Sequence, residues 1–328
     1  MSLILRGIDF GPVQGASGIQ GFFSGWEYPY RWVLTPLLYF FGYRFDGMTF
    51  VSKTSTLYQR DGNAKVRKNG ITFRNFKPDC IKAYIFKGIA LNSVGLTGPG
   101  LNNLLRRKKW QKRTEPFMIS VMSVAGTKHE RQFEHTGIIH SLKQASVGGM
   151  FTAPYAVQLN VSCPNTGHAT DEFWDEILPM LDAYEKLKVP IVVKINVLMP
   201  IDAACKIADH PACDAIVQGN TLPYGSLPDR VNWYKLFGDQ SPIEKTNETY
   251  GKGGLSGKPL FPLILNWIDR AEEAGISVPI IACGGIDSRA KVRELAKRTS
   301  VKACAIGSVS FLRPWRVAGI IKEAHKCF

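Results

Sequence analysis

Residues 280–286, Ile280-Ile281-Ala282-Cys283-Gly284-Gly285-Ile286, and residues 303–308, Ala303-Cys304-Ala305-Ile306-Gly307-Ser308, decide how this chain is read. Each is a short apolar run that ends in glycine, and the first leads into Asp287 and Ser288, both suited to cap a helix N-terminus. A run that is apolar at every position, rather than alternately, is the pattern of a parallel strand buried on both faces. Further runs of this kind lie at 10–16, 48–53, 117–122, 157–161, 191–195 and 215–218. Helical segments are expected over 171–187, 201–209, 260–274, 288–298 and 312–326.

Eight such runs alternating with helices predict an α/β fold, a closed (β/α)8 TIM barrel, with an open doubly wound sheet as the alternative. The 328 residues suit one barrel. The chain is therefore read as a single domain over 1–328, with an N-terminal insertion around 22–46 and a long loop over 222–258, a length that in a compact domain usually serves function.

Composition limits the partners. Hydrophobic residues make up 45% and charged residues 21%, enough for a large core and against global disorder. Lys and Arg number 41 against 27 Asp and Glu, a net charge of +14 that suits anionic partners. The densest cluster, Arg106, Arg107, Lys108, Lys109, Lys112 and Arg113, is read as a solvated helix face or loop, because no nucleic-acid motif accompanies it. The seven cysteines are odd in number and show no CxxC spacing, and none of the six histidines sits in a metal or triad pattern. Neither a disulfide framework nor a metal site is expected. Nothing at the start reads as a signal peptide, so a reducing, cytoplasmic setting is expected. The stretch Trp32–Phe41, WVLTPLLYFF, is interrupted by Pro36 and falls short of the ~20 residues that span a bilayer. It reads as a buried or interfacial segment. Arg31 and Arg44 on either side make peripheral contact with a membrane surface the alternative.

Polar and glycine residues gather just after the strands, at the face where barrels build their sites. Gly284-Gly285 and Gly307-Ser308, on the last two strands, let the backbone approach a ligand closely and present N–H groups to a phosphate. Lys53 and Lys194 end otherwise apolar strands and suit an anionic or electron-rich ligand. Residues 159–166, Leu159-Asn160-Val161-Ser162-Cys163-Pro164-Asn165-Thr166, surround one cysteine with Asn and Ser. Asparagine offers both donor and acceptor to a ring carrying C=O and N–H groups, and a tuned cysteine acts as base or nucleophile. Cys80, Cys205, Cys213, Cys304 and Cys327 lack such surroundings and read as structural, Cys283 as packing, and His168 as a loop residue.

The residues then match a family. Gly15-Ala16-Ser17-Gly18, Ser52-Lys53-Thr54-Ser55-Thr56, Asn92-Ser93-Val94-Gly95-Leu96, Asn160 through Asn165, Val193-Lys194, Asn220-Thr221, Gly253 through Gly257, Cys283 through Ile286 and Ile306-Gly307-Ser308 together resemble the dihydroorotate dehydrogenases over nearly the whole chain. The resemblance implies flavin mononucleotide (FMN) held by Ala16, Ser17, Lys53, Thr54, Asn160, Lys194, Gly257, Gly284, Gly285, Gly307 and Ser308. It implies dihydroorotate, oxidised to orotate in pyrimidine biosynthesis, held by Lys53, Asn92, Gly95, Leu96, Asn160, Asn165, Asn220 and Thr221. Cys163 matches the family's catalytic base.

Cys163 looks like the soluble class of that family, whereas Gly253 through Leu260 looks more like the membrane-associated class, which uses serine, and the aromatic segment 22–46 is longer than in the soluble enzymes. The electron acceptor is therefore open between fumarate, a quinone and a partner subunit relaying to NAD, and a homodimer is an expectation by analogy. Two other readings stand beside this one. A flavin enzyme of another dihydropyrimidine, or of tRNA dihydrouridine, would share the cysteine. A non-catalytic barrel would bind a phosphorylated ligand only.

Overall fold

The computed structural model describes residues 2–161 and 170–328, the side chains of 170–175 excepted. The chain opens with a two-stranded hairpin, β1 (Ile4–Leu5) and β2 (Ile8–Asp9), followed by β3 (Val13–Gly15) and helix α1 (Pro29–Leu38). Next come β4 (Ile81–Tyr84), β5 (Ile89–Asn92), α2 (Leu101–Arg106), β6 (Phe117–Val121) and α3 (Lys128–Val147). Strand–helix alternation follows: β7 (Tyr155–Asn160), α4 (Thr170–Glu185), β8 (Ile191–Ile195), α5 (Ile201–Ala208) and β9 (Ala215–Gln218). After β10 (Leu222–Pro223), α6 (Trp233–Phe237) and β11 (Gly254–Gly257) it resumes with α7 (Leu260–Glu273), β12 (Ile280–Cys283), α8 (Arg289–Leu295), β13 (Val301–Ile306), α9 (Val309–Leu312) and α10 (Val317–Cys327).

Seven of these strands form one parallel sheet in the order β3-β13-β12-β9-β8-β7-β6. The sheet curls. Residues 49–55 reach both of its edges through parallel bridges, Gln14 with Thr49 on one side and Val51 with Met118 and Ser55 with Val121 on the other. The fold is thus α/β with a curled seven-stranded parallel sheet. Residues 48–53, read from sequence as a full strand, make these separate bridges rather than a continuous ladder.

Burial explains the apolar runs. Val157, Leu159, Ile191 and Val193 pack outward into a core shared with the helices, whereas the intervening Ala156 and Val192 pack inward with Val51, Met118 and Ile281. With water on neither face, alternation has no role. The hairpin's Leu3 and Leu5 join the inner cluster and close its lower end.

Several boundaries differ from the sequence reading. The segment expected as one helix over 312–326 breaks into α9 and α10 around Pro314, which cannot donate a helical hydrogen bond. Ser288 alone caps α8, accepting the Lys291 N–H, while Asp287 forms ion pairs with Lys291 and Arg313. The stretch 222–258 carries its own structure: β10 and β11 join β5 and β4 in an antiparallel sheet of order β10-β11-β5-β4. Helix α3 was not expected at all, although Thr127 and Glu130 form its capping box.

Trp32–Phe41 is not a buried segment. Pro29 opens α1 at a position where its missing N–H is harmless. The buried guanidinium of Arg31 fixes the helix start, lying 4.6 Å from the Phe45 ring centroid and 5.6 Å from that of Tyr43. The outer side stays in solvent: Leu37 is 62% exposed, Phe40 89% and Phe41 71%. Among the described residues no helix is long and apolar enough to cross a membrane.

Helices α3 and α4 are joined by a buried two-pronged ion pair, Arg131 to Glu176 at 2.6 and 2.9 Å. Beside it His135 Nδ1 lies 2.9 Å from the Tyr184 hydroxyl. Burial keeps the Tyr184 phenol protonated, so it donates to a neutral imidazole. Burial lowers the His135 pKa to about 4. The unfolded chain therefore takes up a proton near pH 6.5 that the folded one refuses until about pH 4. Stability is expected to fall by roughly 3 kcal/mol as pH drops through that window, and to level off below it. Denaturant unfolding of the native protein and of His135→Gln across pH 4–7 checks this; an unchanged slope in the variant sinks it.

Candidate functional site

At the carboxyl end of the parallel strands the chain turns from strand to loop repeatedly, and each turn leaves polar or glycine residues there. These turns line one cavity of about 650 Å³, inside the ~300–1,000 Å³ usual for ligand sites. Ala16 and Ser17 reach it just after β3, and Lys53 and Thr54 from the bridging segment. Asn92 ends β5, with Gly95 and Leu96 in the turn beyond. Asn160 and Lys194 come from the ends of β7 and β8, and Asn220 and Thr221 from beyond β9. Gly257 closes β11, while Gly284-Gly285 and Gly307-Ser308 follow β12 and β13. All the sequence-predicted site residues that are described thus border the same cavity. Cys163 and Asn165 lie outside the described residues, as does His168.

A polar network ties these positions together. The Ser17 hydroxyl is 2.8 Å from the Thr54 hydroxyl, which is 2.9 Å from Ser120 Oγ. Asn160 Nδ2 donates to Thr54 Oγ1 at 3.4 Å, and Asn220 Nδ2 donates to Asn160 Oδ1 at 3.2 Å. The Thr221 N–H then donates to Asn220 Oδ1. Each amide is oriented by the next, which holds donors and acceptors in fixed positions along the cavity wall.

Two buried lysines supply charge. Lys53 and Lys194 are 8% and 6% exposed, and both border the cavity. Burial pushes the Cys283 thiol up, with the Lys194 cation opposing. The cysteine read as packing is therefore a protonated thiol in the cavity wall. Cys80 and Cys304 are fully buried and away from the cavity, with thiols pushed up to about 11 and about 12.

The backbone at the glycine end admits no side chain. A Cβ on Gly285, whose φ is +66°, would stand 2.7 Å from the Gly257 carbonyl oxygen. Gly219 was not singled out from sequence, yet a Cβ there would overlap the Cys283 carbonyl at 1.4 Å. Leu96 sits at φ 58°, a conformation unusual for a branched residue, directly after Gly95 at 69°. The Arg60 guanidinium holds this turn by donating to the Gly95 carbonyl at 3.2 Å.

Sequence reading missed half of the cavity. From the Lys53 end it continues between α1 and β4 as a mostly apolar arm walled by Tyr28, Tyr30, Leu34, Phe73, Ile81 and Ile85, with Asn75 and Lys77 also on its lining. The aromatic richness of residues 22–46 was the available signal. That this segment faces β4 could not be read from it.

The family model for dihydroorotate dehydrogenase matches residues 45–328, a stretch that begins after α1. The chain is 28% identical to "Dihydroorotate dehydrogenase B (NAD(+)), catalytic subunit" of Streptococcus pneumoniae (strain ATCC BAA-255 / R6), covering 72% of this chain and 71% of that one. It is 28% identical to "Dihydroorotate dehydrogenase A (fumarate)" of Lactobacillus helveticus (strain DPC 4571), over 71% and 70% of the two chains. It is 31% identical to "Dihydroorotate dehydrogenase B (NAD(+)), catalytic subunit" of Geobacillus sp. (strain WCH70), over 72% and 69%.

The glycine turn gives a direct test. Gly285→Ala forces a Cβ against the Gly257 oxygen and the Phe261 nitrogen. It is expected to cost more than about 1 kcal/mol of stability and to weaken binding of a phosphate-bearing ligand. Unfolding curves and ligand titration measure both, and a variant with native values of each rules the close approach out.

Proposed function

This chain belongs to the dihydroorotate dehydrogenase family, and we propose that it is an FMN-dependent oxidoreductase that converts dihydroorotate to orotate in pyrimidine biosynthesis. The observation that carries this is the convergence of two buried lysines and the Ser17–Thr54–Asn160–Asn220 network on one cavity that ends in glycine turns. The cavity suits a long ligand with a phosphate at one end and a planar polar ring at the other. The backbone at Gly284, Gly285, Gly307 and Ser308 would hold the FMN phosphate, with Gly257 beside it. Ala16, Ser17, Thr54, Asn160 and Lys194 would border its ring. The barrel is read as closed, residues 49–55 serving as the eighth strand because they bond to both sheet edges.

Asn92, Asn160, Asn165 and Asn220 would pair with the amide edges of dihydroorotate, since each amide gives both a donor and an acceptor. Gly95, Leu96 and Thr221 would shape the same subsite, and Lys53 would meet the substrate's negative charge. Cys163, as thiolate, takes the C5 proton while the C5–C6 double bond forms. The chemistry supplied by FMN, when bound, is acceptance of the hydride that leaves C6. Lys194 favours negative charge on the ring beside it. These assignments rest on the family's motifs for Cys163 and Asn165, and on position in the cavity for the others.

The test is anaerobic. Added dihydroorotate is expected to bleach the oxidised-flavin absorbance rapidly, and Cys163→Ser to slow bleaching on the order of a hundredfold at neutral pH. The native rate should rise with pH as the thiol ionises. Flavin that stays oxidised in the native protein removes dihydroorotate as substrate.

The arm favours a quinone-type acceptor over fumarate or a relay to NAD, because its lining is mostly aromatic and aliphatic, with Asn75 and Lys77 as its polar members. The exposed Leu37, Phe40 and Phe41 of the same segment suit peripheral contact with a membrane surface. A short-chain quinone should reoxidise the reduced enzyme far faster than fumarate or NAD does. Leu34→Glu should slow that step about tenfold or more, with bleaching by dihydroorotate unchanged. Equal reoxidation by fumarate would reverse the assignment.

A further inference from the structure

The Lys53 ammonium is held in an unusual way. Its side chain is buried, and its Nζ donates to the Thr97 carbonyl and lies 4.8 Å from the centroid of the Phe22 ring. Thr97 is followed by Gly98, which bridges to Arg60, and Phe22 packs against the same stretch. A Cβ on Gly98 would stand 2.7 Å from Phe22 Cζ. The ring is fixed from behind as well. The Phe22 carbonyl accepts the indole N–H of fully buried Trp110 at 2.6 Å. The backbone closes the arrangement, because the Lys53 N–H donates to the Gly21 carbonyl at 2.7 Å.

We infer that Phe22 is a positioning residue that sets the Lys53 ammonium at the substrate end of the cavity. Both of these contacts, a carbonyl oxygen and an aromatic face, attract a cation without carrying a formal charge. Neither neutralises it. A carboxylate in the place of the ring would fix the lysine as firmly and would compete with an anionic ligand for it. The aromatic face therefore fixes the geometry without bringing a formal negative charge beside the ligand. The inference rests on the assignment of Lys53 to an anionic substrate made above.

The test replaces Phe22 with phenylalanines bearing one, two and three fluorines. These keep the ring's shape and progressively weaken its attraction for a cation. In the flavin-loaded protein the Kd of orotate is expected to rise stepwise, by about five- to tenfold for the trifluoro ring, with the melting temperature nearly unchanged. A purely structural role would give no graded response. In ligand-free protein, lysine-selective labelling is expected to show Lys53 Cε protons shifted upfield by the ring, and Phe22→Leu to abolish that shift. Orotate affinity that ignores the fluorine series overturns the inference, as does a Lys53 signal indifferent to Phe22→Leu. A native protein that shows the upfield signal but binds no orotate supports the Phe22–Lys53 pairing and removes the substrate assignment instead.

Discussion

A parallel sheet covered on both faces has little room for polar side chains except at its strand ends. Most side chains of the seven-stranded parallel sheet obey this constraint, with residues such as Val157, Val192 and Ile281 withdrawn from water on one side or the other and Gln158 as a buried polar exception. The polar groups the chain does carry are pressed to the rim. At one rim they become a site, because loops from distant parts of the sequence arrive within hydrogen-bonding distance of one another. Thr54 and Asn160 are more than a hundred residues apart, yet meet at 3.4 Å.

That constraint also decides what could be read in advance. Ile191–Ile195 and Ala215–Gln218 were located from sequence with their boundaries intact, because a strand sealed on both faces is apolar along most of its length, here up to Lys194 and Gln218 near the strand ends. Helix α3 left no comparable trace. Of its 20 residues only a narrow set, including Ile138, Ile139 and Leu142, is buried, and its capping box was the one local mark of its start. Strand β11, Gly254-Leu255-Ser256-Gly257, has no strand-like composition and exists because β5 and β10 offer it partners. The bridging segment 49–55 was legible as apolar but not as discontinuous.

The site divides in the same manner. Its polar floor and glycine end could be found because they follow strands, and the family motifs sharpen them. The arm could not, since it arises where α1 meets β4, two elements with no pattern that names the other as neighbour. Tyr28 belongs to both halves. It borders the arm and donates its hydroxyl to the Gly18 carbonyl, next to Ser17 of the polar network, and burial keeps that phenol protonated.

Helix α1 lies outside the residues matched by the family model, yet its Pro29, Tyr30 and Leu34 help to wall the cavity. One cavity is thus assembled from two kinds of inheritance. At Gly285 and Gly219 the backbone fit is close enough that a single added carbon is rejected, and the amide network is held by side-chain hydrogen bonds. The helix meets the cavity from the side, through Pro29, Tyr30 and Leu34, and makes no part of the glycine turns or the amide network. A lineage carrying this scaffold could retune what enters through the arm while the chemistry at the strand ends stays as it was.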